Sequence, residues 1–199
     1  MGLVEDPVAS GLVVSVAHPG GNITGLSLMA PDLVEKQLEL LKEVAPKVSR
    51  VAVLWNPANP SNPPQLREAE MAARALGLRL QPLGVRNAQE IASAFTAMAT
   101  EQAGALLILF DATLGARRTQ IAELATKGRL PTVAGRRGHA DAGGLMSYGA
   151  DIGDMFRRAA TCSSPADDAR RRDGLAVTWR SDSWCGMRWN ERSGGGWRG

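Results

Sequence analysis

Two loops carry the side chains best suited to gripping a small molecule. The first, Asn56-Pro57-Ala58-Asn59-Pro60-Ser61, offers two amides that both donate and accept hydrogen bonds, together with a hydroxyl. The second begins at Asp111. Its carboxylate could bind an amine or hydroxyl of a ligand, or could hydrogen-bond its own loop and favour a helix N-terminus through the helix dipole. Each loop follows directly on an apolar run, Val51–Trp55 in one case and Ala105–Phe110 in the other. An apolar run that stops abruptly in a polar loop reads as a parallel strand buried on both faces. In open α/β sheets the ligand crevice lies outside the carboxyl ends of such strands, where both loops would then stand.

The equipment for bond-breaking chemistry is missing. No glycine-rich phosphate or dinucleotide loop joins a strand to a helix, and no G-x-S-x-G elbow occurs. His18 and His139 are the only histidines and lack metal-ligand spacing; His18, beside Pro19, reads as a solvated turn residue. Most carboxylates lie on helix faces beside Lys or Arg, the usual solvated arrangement. A binding role with neither cofactor nor metal fits better than catalysis. A cytosolic α/β enzyme or ligand-sensing domain is the alternative, since parallel sheets host many chemistries.

Bulk properties agree. The 199 residues allow one full domain, or one and a fraction, with a sizeable core. A net charge of +3, with acidic and basic residues interspersed along the body, gives no reason to expect nucleic acid. No run approaches the roughly 20 apolar residues of a membrane span, so stable membrane insertion is not expected. The first residues lack a basic segment followed by an apolar one, so no export signal is read, and the chain as written would stay in the cytoplasm. Cys162 and Cys185 fit no metal spacing, and a disulfide between them stays open.

The elements that must position the two loops follow in order. From Ala9 to Ala17 small residues dominate, with Gly11, Leu12 and Val16 at helix-like spacing. His18 to Gly25 is dense in turn formers and reads either as a surface turn or as a loop lining a cleft. Asp32–Ala45 is amphipathic, with Asp32 and Glu35 placed as a capping box and Pro46 as a stop. After the first loop, Ser61 or Asn62 can cap a helix that ends before Gly77. Leu78–Val85 reads as a strand, with Pro82 favouring a sheet edge. Asn87 and Glu90 open the next helix, and after the second loop Thr113 can cap a helix running to Gly128. Short strands are expected at Leu130–Gly135 and Gly143–Gly149, then a helix over Asp151–Ala160. Strand and helix alternate, so right-handed crossovers and a mainly parallel sheet follow: a three-layer α/β/α fold.

Past Thr161 the composition changes. The tail holds four of the five tryptophans, both cysteines, the Arg170-Arg171-Arg172 run and Gly194-Gly195-Gly196. Neither helical nor strand periodicity is visible there, and residues 161–199 read as an atypical, disordered or frameshifted tail.

Four segments carry a family resemblance: Asp6-Pro7-Val8, Pro19 to Gly25, Arg50 to Pro60, and Ala142 to Gly149. In this order they resemble the substrate-binding proteins of ABC transporters, in the group with tryptophan- and phenylalanine-binding members. The resemblance covers roughly residues 5–160. It implies a type I periplasmic-binding-protein fold, two α/β lobes joined by hinge crossings with a small solute between them, and an ABC permease as partner. It implies a periplasmic or otherwise extracytoplasmic place of action. By that likeness residues 28–142 form the second lobe, nearly complete. Residues 1–27 and 143–160 belong to the first, so the sequence reads as truncated at both ends. The resemblance carries Asn22 and Thr24 onto a segment near the crossing. It carries Asn56, Asn59, Ser61, Asp111 and Gly135 onto cleft loops, and Ser147 and Tyr148 onto the strand returning to the first lobe. Where members of the family commonly have aromatic or acidic residues after Gly135, this chain has Arg136-Arg137-Gly138-His139. With half a cleft, weak or no solute binding is expected.

Overall fold

The structure is a computed structural model that describes residues 2–4, 7–8, 10–15, 25–28, 30–162 and 188–189. Its centre is a strand built from the most apolar stretches of the chain. Arg50–Trp55 (β3) pairs in parallel with Arg79–Gly84 (β4) on one side and Ala105–Ile108 (β5) on the other. Thr132–Ala134 (β6) and Met146–Ser147 (β7) continue the parallel sheet, and Arg188–Trp189 (β8) closes it antiparallel to β7. The order is β4-β3-β5-β6-β7-β8. β4 is an edge strand, the place where Pro82 removes no needed ladder donor.

The side-chain period of two sends alternate residues to opposite faces. Val51 and Val53 of β3, Leu107 of β5 and Val133 of β6 meet Ala30–Val44 (α1) and Asn62–Ala75 (α2) through Val34, Leu38, Leu41, Ala69 and Ala73. Ala52, Leu54, Leu106, Ile108 and Ala134 meet the other layer. That layer holds Ala88–Thr100 (α3), Ala112–Ala116 (α4) and Arg118–Lys127 (α5), through Ile91, Met98, Leu114 and Ile121. Both faces are covered, as an all-parallel core requires, and the three-layer α/β/α expectation holds.

The helix ends follow from local chemistry. Asn87 Oδ1 accepts from the N–H groups of Gln89 and Glu90, and Glu90 accepts from Arg86 N–H: the expected capping box. Gly77 takes φ +67° just past α2, with Leu78 N–H bonded to Ala73 O and Gly77 N–H to Arg74 O. This is the Schellman closure that glycine suits. The same closure ends α5, but one residue later than the sequence suggests. Gly128 remains helical at φ −78°, and Arg129 takes the left-handed position at φ +51°. Leu130 N–H then reaches Ala125 O at 2.9 Å.

Three further expectations need correction. Helix α1 starts at Ala30, so Asp32 lies inside its first turn and not at its cap. Thr113 does not cap the helix after β5; Asp111 does, and that helix is broken into α4 and α5. Residues 10–15 form turns and no helix: Pro7 O accepts from Leu12 and Val13 N–H, and Gly11 turns left-handed at φ +67°. Leu12 and Val14 of this segment are exposed, so their spacing reflects no buried face.

Two short strands, Gly2–Val4 (β1) and Gly25–Ser27 (β2), pair in parallel outside the main sheet. Helices Arg137–Asp141 (α6) and Ile152–Cys162 (α7) complete the described elements. Leu28, beside β2, packs with Met155 of α7 against Phe110, Ala150 and Ile152. The tryptophans and cysteines of the tail lie outside the described residues, except the backbones of Cys162 and Trp189.

Arg129 bears the left-handed penalty that glycine avoids. Arg129→Gly is expected to raise stability by about 0.5–1 kcal/mol and Gly77→Ala to lower it by about 1 kcal/mol, both read from urea unfolding midpoints.

Candidate functional site

Because β3, β5, β6 and β7 are parallel, the loops that follow them leave the sheet at one end. The loop after β3 is shaped by amides three residues apart. Asn56 Oδ1 accepts from Ala58 N–H, Asn59 Oδ1 from Ser61 N–H, and Asn62 Oδ1 from the N–H of Asn56 at 2.7 Å. Those bonds replace the ladder partners that Pro57, Pro60 and Pro63 cannot supply. Ser61 stands at the N-cap of α2 but its hydroxyl makes no cap bond; it lies 3.5 Å from the hydroxyl of Ser10.

Asp111 ties this loop to the next. Its Oδ2 accepts from Asn56 Nδ2 at 3.2 Å and Asn59 Nδ2 at 3.0 Å. Its Oδ1 accepts from Leu114 N–H at 2.9 Å, capping α4. The side chain therefore takes the structural role that the sequence left open. Two residues that the sequence reading did not single out as site residues complete the seam. Asn62, fully buried, donates to Phe110 O at 2.8 Å. Gln65, 1% exposed, accepts from Phe110 N–H at 2.9 Å and donates to Ser61 O at 3.1 Å. The signal was in view: Asn56, Asn59, Asn62 and Gln65 recur every third residue.

The loops after β6 and β7 form a second part of the rim. Tyr148 N–H bonds to Ala134 O at 3.0 Å, and Gln37 Nε2 reaches over from α1 to Tyr148 O at 2.8 Å. The Tyr148 ring packs against the α1–α2 layer of the core. Gly135 and Gly149 lie against one another so closely that a Cβ on Gly149 would run into the Gly135 carbonyl. Ser147 is buried and borders a groove of about 770 Å³. Arg118, Arg136, Arg137, His139 and Asp151 also line it. Asn22 and Thr24 lie outside the described residues.

The groove is basic by construction. Arg136 lies over the Phe110 ring, with its Cζ 4.8 Å from the ring centroid, a cation–π stack that orients the guanidinium. Arg118 donates to Gly115 O at 3.3 Å. Another cavity, of about 500 Å³, lies between Val44–Arg50, Gln102 and Gly104. It is at the amino ends of β3 and β5, away from the convergent loops, so the crevice rule assigns function to the Arg-lined end.

A model of the ABC transporter substrate binding protein family matches residues 1–163. The chain belongs to this family. It is a family of binding proteins, not of enzymes. The chain is 26% identical over 159 residues to the Tyrosine-binding protein of Clostridioides difficile (strain R20291), covering 80% of this chain and 45% of that protein. An ABC domain from Streptococcus pneumonia in complex with L-Trp superposes with a TM-score of 0.73 at 25% identity, over 86% of this chain and 56% of that one. A conserved domain protein from Vibrio cholerae gives 0.74 at 26% identity, over 86% and 55%. The chain thus spans about half the length of these relatives. The fold is that of the periplasmic binding proteins. Among the described residues no helix is long and apolar enough to cross a membrane, and no cluster of three or more His, Cys, Asp or Glu could hold a metal ion.

In this family member the groove also contains a neutral imidazole. His139 is 4% exposed and its Nδ1 has no hydrogen-bond partner. Burial, then the neighbouring Arg136 and Arg118 charges, lower its pKa from 6.5 to about 4. Asp151 moves the other way from what burial alone would give: the Asp154 N–H on its carboxylate holds its pKa below the usual carboxylate value.

Replacing Asp111 by Asn keeps the shape but turns an acceptor into an NH₂ facing the donors of Asn56 and Asn59. A loss of about 2–3 kcal/mol is expected in urea unfolding, against under 1 kcal/mol for an exposed carboxylate such as Glu70. The depressed His139 pKa means that the unfolded chain takes up the proton first. Stability is therefore full above pH 6.5 and falls as pH drops toward about 4, by up to about 3 kcal/mol, then levels off. His139→Gln should flatten that slope in melting midpoints measured across the window.

Proposed function

We propose that this chain supplies one lobe of an extracytoplasmic solute receptor that delivers a small, carboxylate-bearing solute to an ABC permease. In this reading residues 28–142 are the second lobe, and residues 1–27 and 143–160 belong to the first, with the solute held between them. The observation that carries it is the convergence of the loops after β3, β5, β6 and β7 on one rim, two of them joined through Asp111. Ser147 and the backbone at Gly135 face the solute side, together with Asn22 and Thr24 near the crossing. Asn56, Asn59, Ser61 and Asp111 hold the rim in shape, and Tyr148 anchors the return segment.

Family membership supports the permease as partner, and the relatives that bind L-Trp and tyrosine support an amino acid or a similarly small acid as cargo. Binding works by closure of rigid lobes over the solute, whose contacts favour the closed state. One lobe alone supplies part of those contacts, so affinity for this chain is millimolar.

Backbone amide NMR of the full chain, titrated with L-tryptophan and with glutarate, tests the reading. Saturable shifts are expected for residues 56–61, 109–115, 135–139 and 147–151 with at least one of the two. Shifts confined to residues 44–50 and 102–104, or none with either compound, would overturn it.

A further inference from the structure

The carboxylates at this rim are already engaged, whereas two of its arginines are not. Asp111 accepts three hydrogen bonds from Asn56, Asn59 and Leu114. Asp141 lies 3.5 Å from Arg137, and Asp151 Oδ1 accepts from Asp154 N–H at 3.0 Å. Arg118 donates only to a backbone carbonyl, and Arg136 rests on an aromatic ring; among the described residues neither forms an ion pair.

Space has been left for both guanidinium groups. A Cβ on Gly115 would sit 2.5 Å from Nη1 of Arg136, and one on Gly138 would sit 3.2 Å from Cδ of Arg118. His139 borders the same groove with an unpartnered, buried Nδ1, the kind of orphan that a ligand commonly accounts for. A guanidinium presents a planar fork of donors matched to carboxylate and phosphate oxygens. The ammonium of a zwitterion would instead meet two cations and no disengaged carboxylate, and an unpaired like charge is how a site rejects a competitor.

We propose that the groove selects a small solute of net negative charge, its carboxylate or phosphate group held by Arg118 and Arg136, over zwitterionic amino acids. This rests on the solute-binding reading above and names the class of solute.

The test titrates the full chain, by amide NMR at low ionic strength, with glutarate, inorganic phosphate and L-tryptophan. Glutarate or phosphate is expected to bind saturably at the rim at millimolar concentration, at least about tenfold more tightly than L-tryptophan, and more weakly as salt is added. Whichever of the two anions binds tighter separates a carboxylate from a phosphate cargo. Arg136→Gln should weaken that anion about tenfold. Gly115→Ala should weaken it too, because the new methyl displaces the Arg136 head while the net charge stays the same. If L-tryptophan binds the rim as tightly as either anion, and equally well in Arg136→Gln, the solute-binding reading stands and the selection for acidic solutes falls. Anion binding undiminished in both variants also overturns the inference. Absence of saturable binding by all three compounds overturns both readings.

Discussion

The carboxylate of Asp111 is the interaction on which the binding end of the sheet depends. It is 3% exposed and sits at the carboxyl end of a central strand, where a lone anion would be costly to bury. Three N–H donors surround it, two from the neighbouring loop and one from the helix it caps. Hydrogen bonds to a charged group stabilise by about 1.5–3 kcal/mol each, roughly twice a neutral pair. Asn59 reaches Asp111 only because Asn56 and Asn62 have already folded the proline-rich loop back on itself. The seam continues through Gln65, whose amide takes the place of a missing strand partner for Phe110. Two loops that could have moved separately are thus one body. Hinge closure needs this, because a lobe that deforms under load cannot turn solute contacts into rotation.

Fixing Phe110 from behind has an effect in front. The ring that Gln65 and Asn62 hold by its backbone is the one on which Arg136 stacks. The chain of positioning runs from the amides of the first loop, through Phe110, to a guanidinium in the groove. The same two arginines that make the groove attractive to anions, together with burial, keep His139 neutral. Glycine is required at position 115 by the arginine it accommodates, and at position 149 by the Gly135 carbonyl, and not by positive φ at either place.

Much of the fold could be read from the sequence because its dominant signals are local. The runs around Val53 and Leu107 are apolar on both faces, which admits only a covered parallel sheet, and Pro82 marked the edge. What failed were positions where tertiary context chose between equal local options. Asp111 and Thr113 are both good caps; the nearby amides of Asn56 and Asn59 decided for Asp111. Gly128 looked like the helix terminator, but the chain turns at Arg129, where Leu130 N–H can close on Ala125 O. Leu12 and Val14 mimicked a helical stripe, although the loop around Pro7 turns them outward. The loops of the site were legible for the same reason as the strands, since each begins where an apolar run stops. Arg118 was not legible, because its Gly138 neighbour is distant in sequence and nothing local marks the pairing.

The division of labour among polar residues decides how the site discriminates. Side chains in the seam have their hydrogen-bonding groups turned toward one another, so substituting a solute for one of those partners would leave another buried group unmatched, a penalty of about 1–3 kcal/mol. The seam therefore resists ligands and transmits shape. The arginines differ: Arg136 can exchange ring-face attraction for a carboxylate without leaving any acceptor orphaned, and Arg118 gives up one long bond to a backbone oxygen. A site organised in this way recognises charge at the groove while its rim stays rigid. Its choice of solute can then change by substitution at a few groove positions such as 118, 136 and 137, with the Asp111 seam and the parallel sheet beneath it untouched. That separation gives a physical reason for one lobe architecture to accompany different cargoes: the elements that hold the cleft together are not the ones that read what enters it.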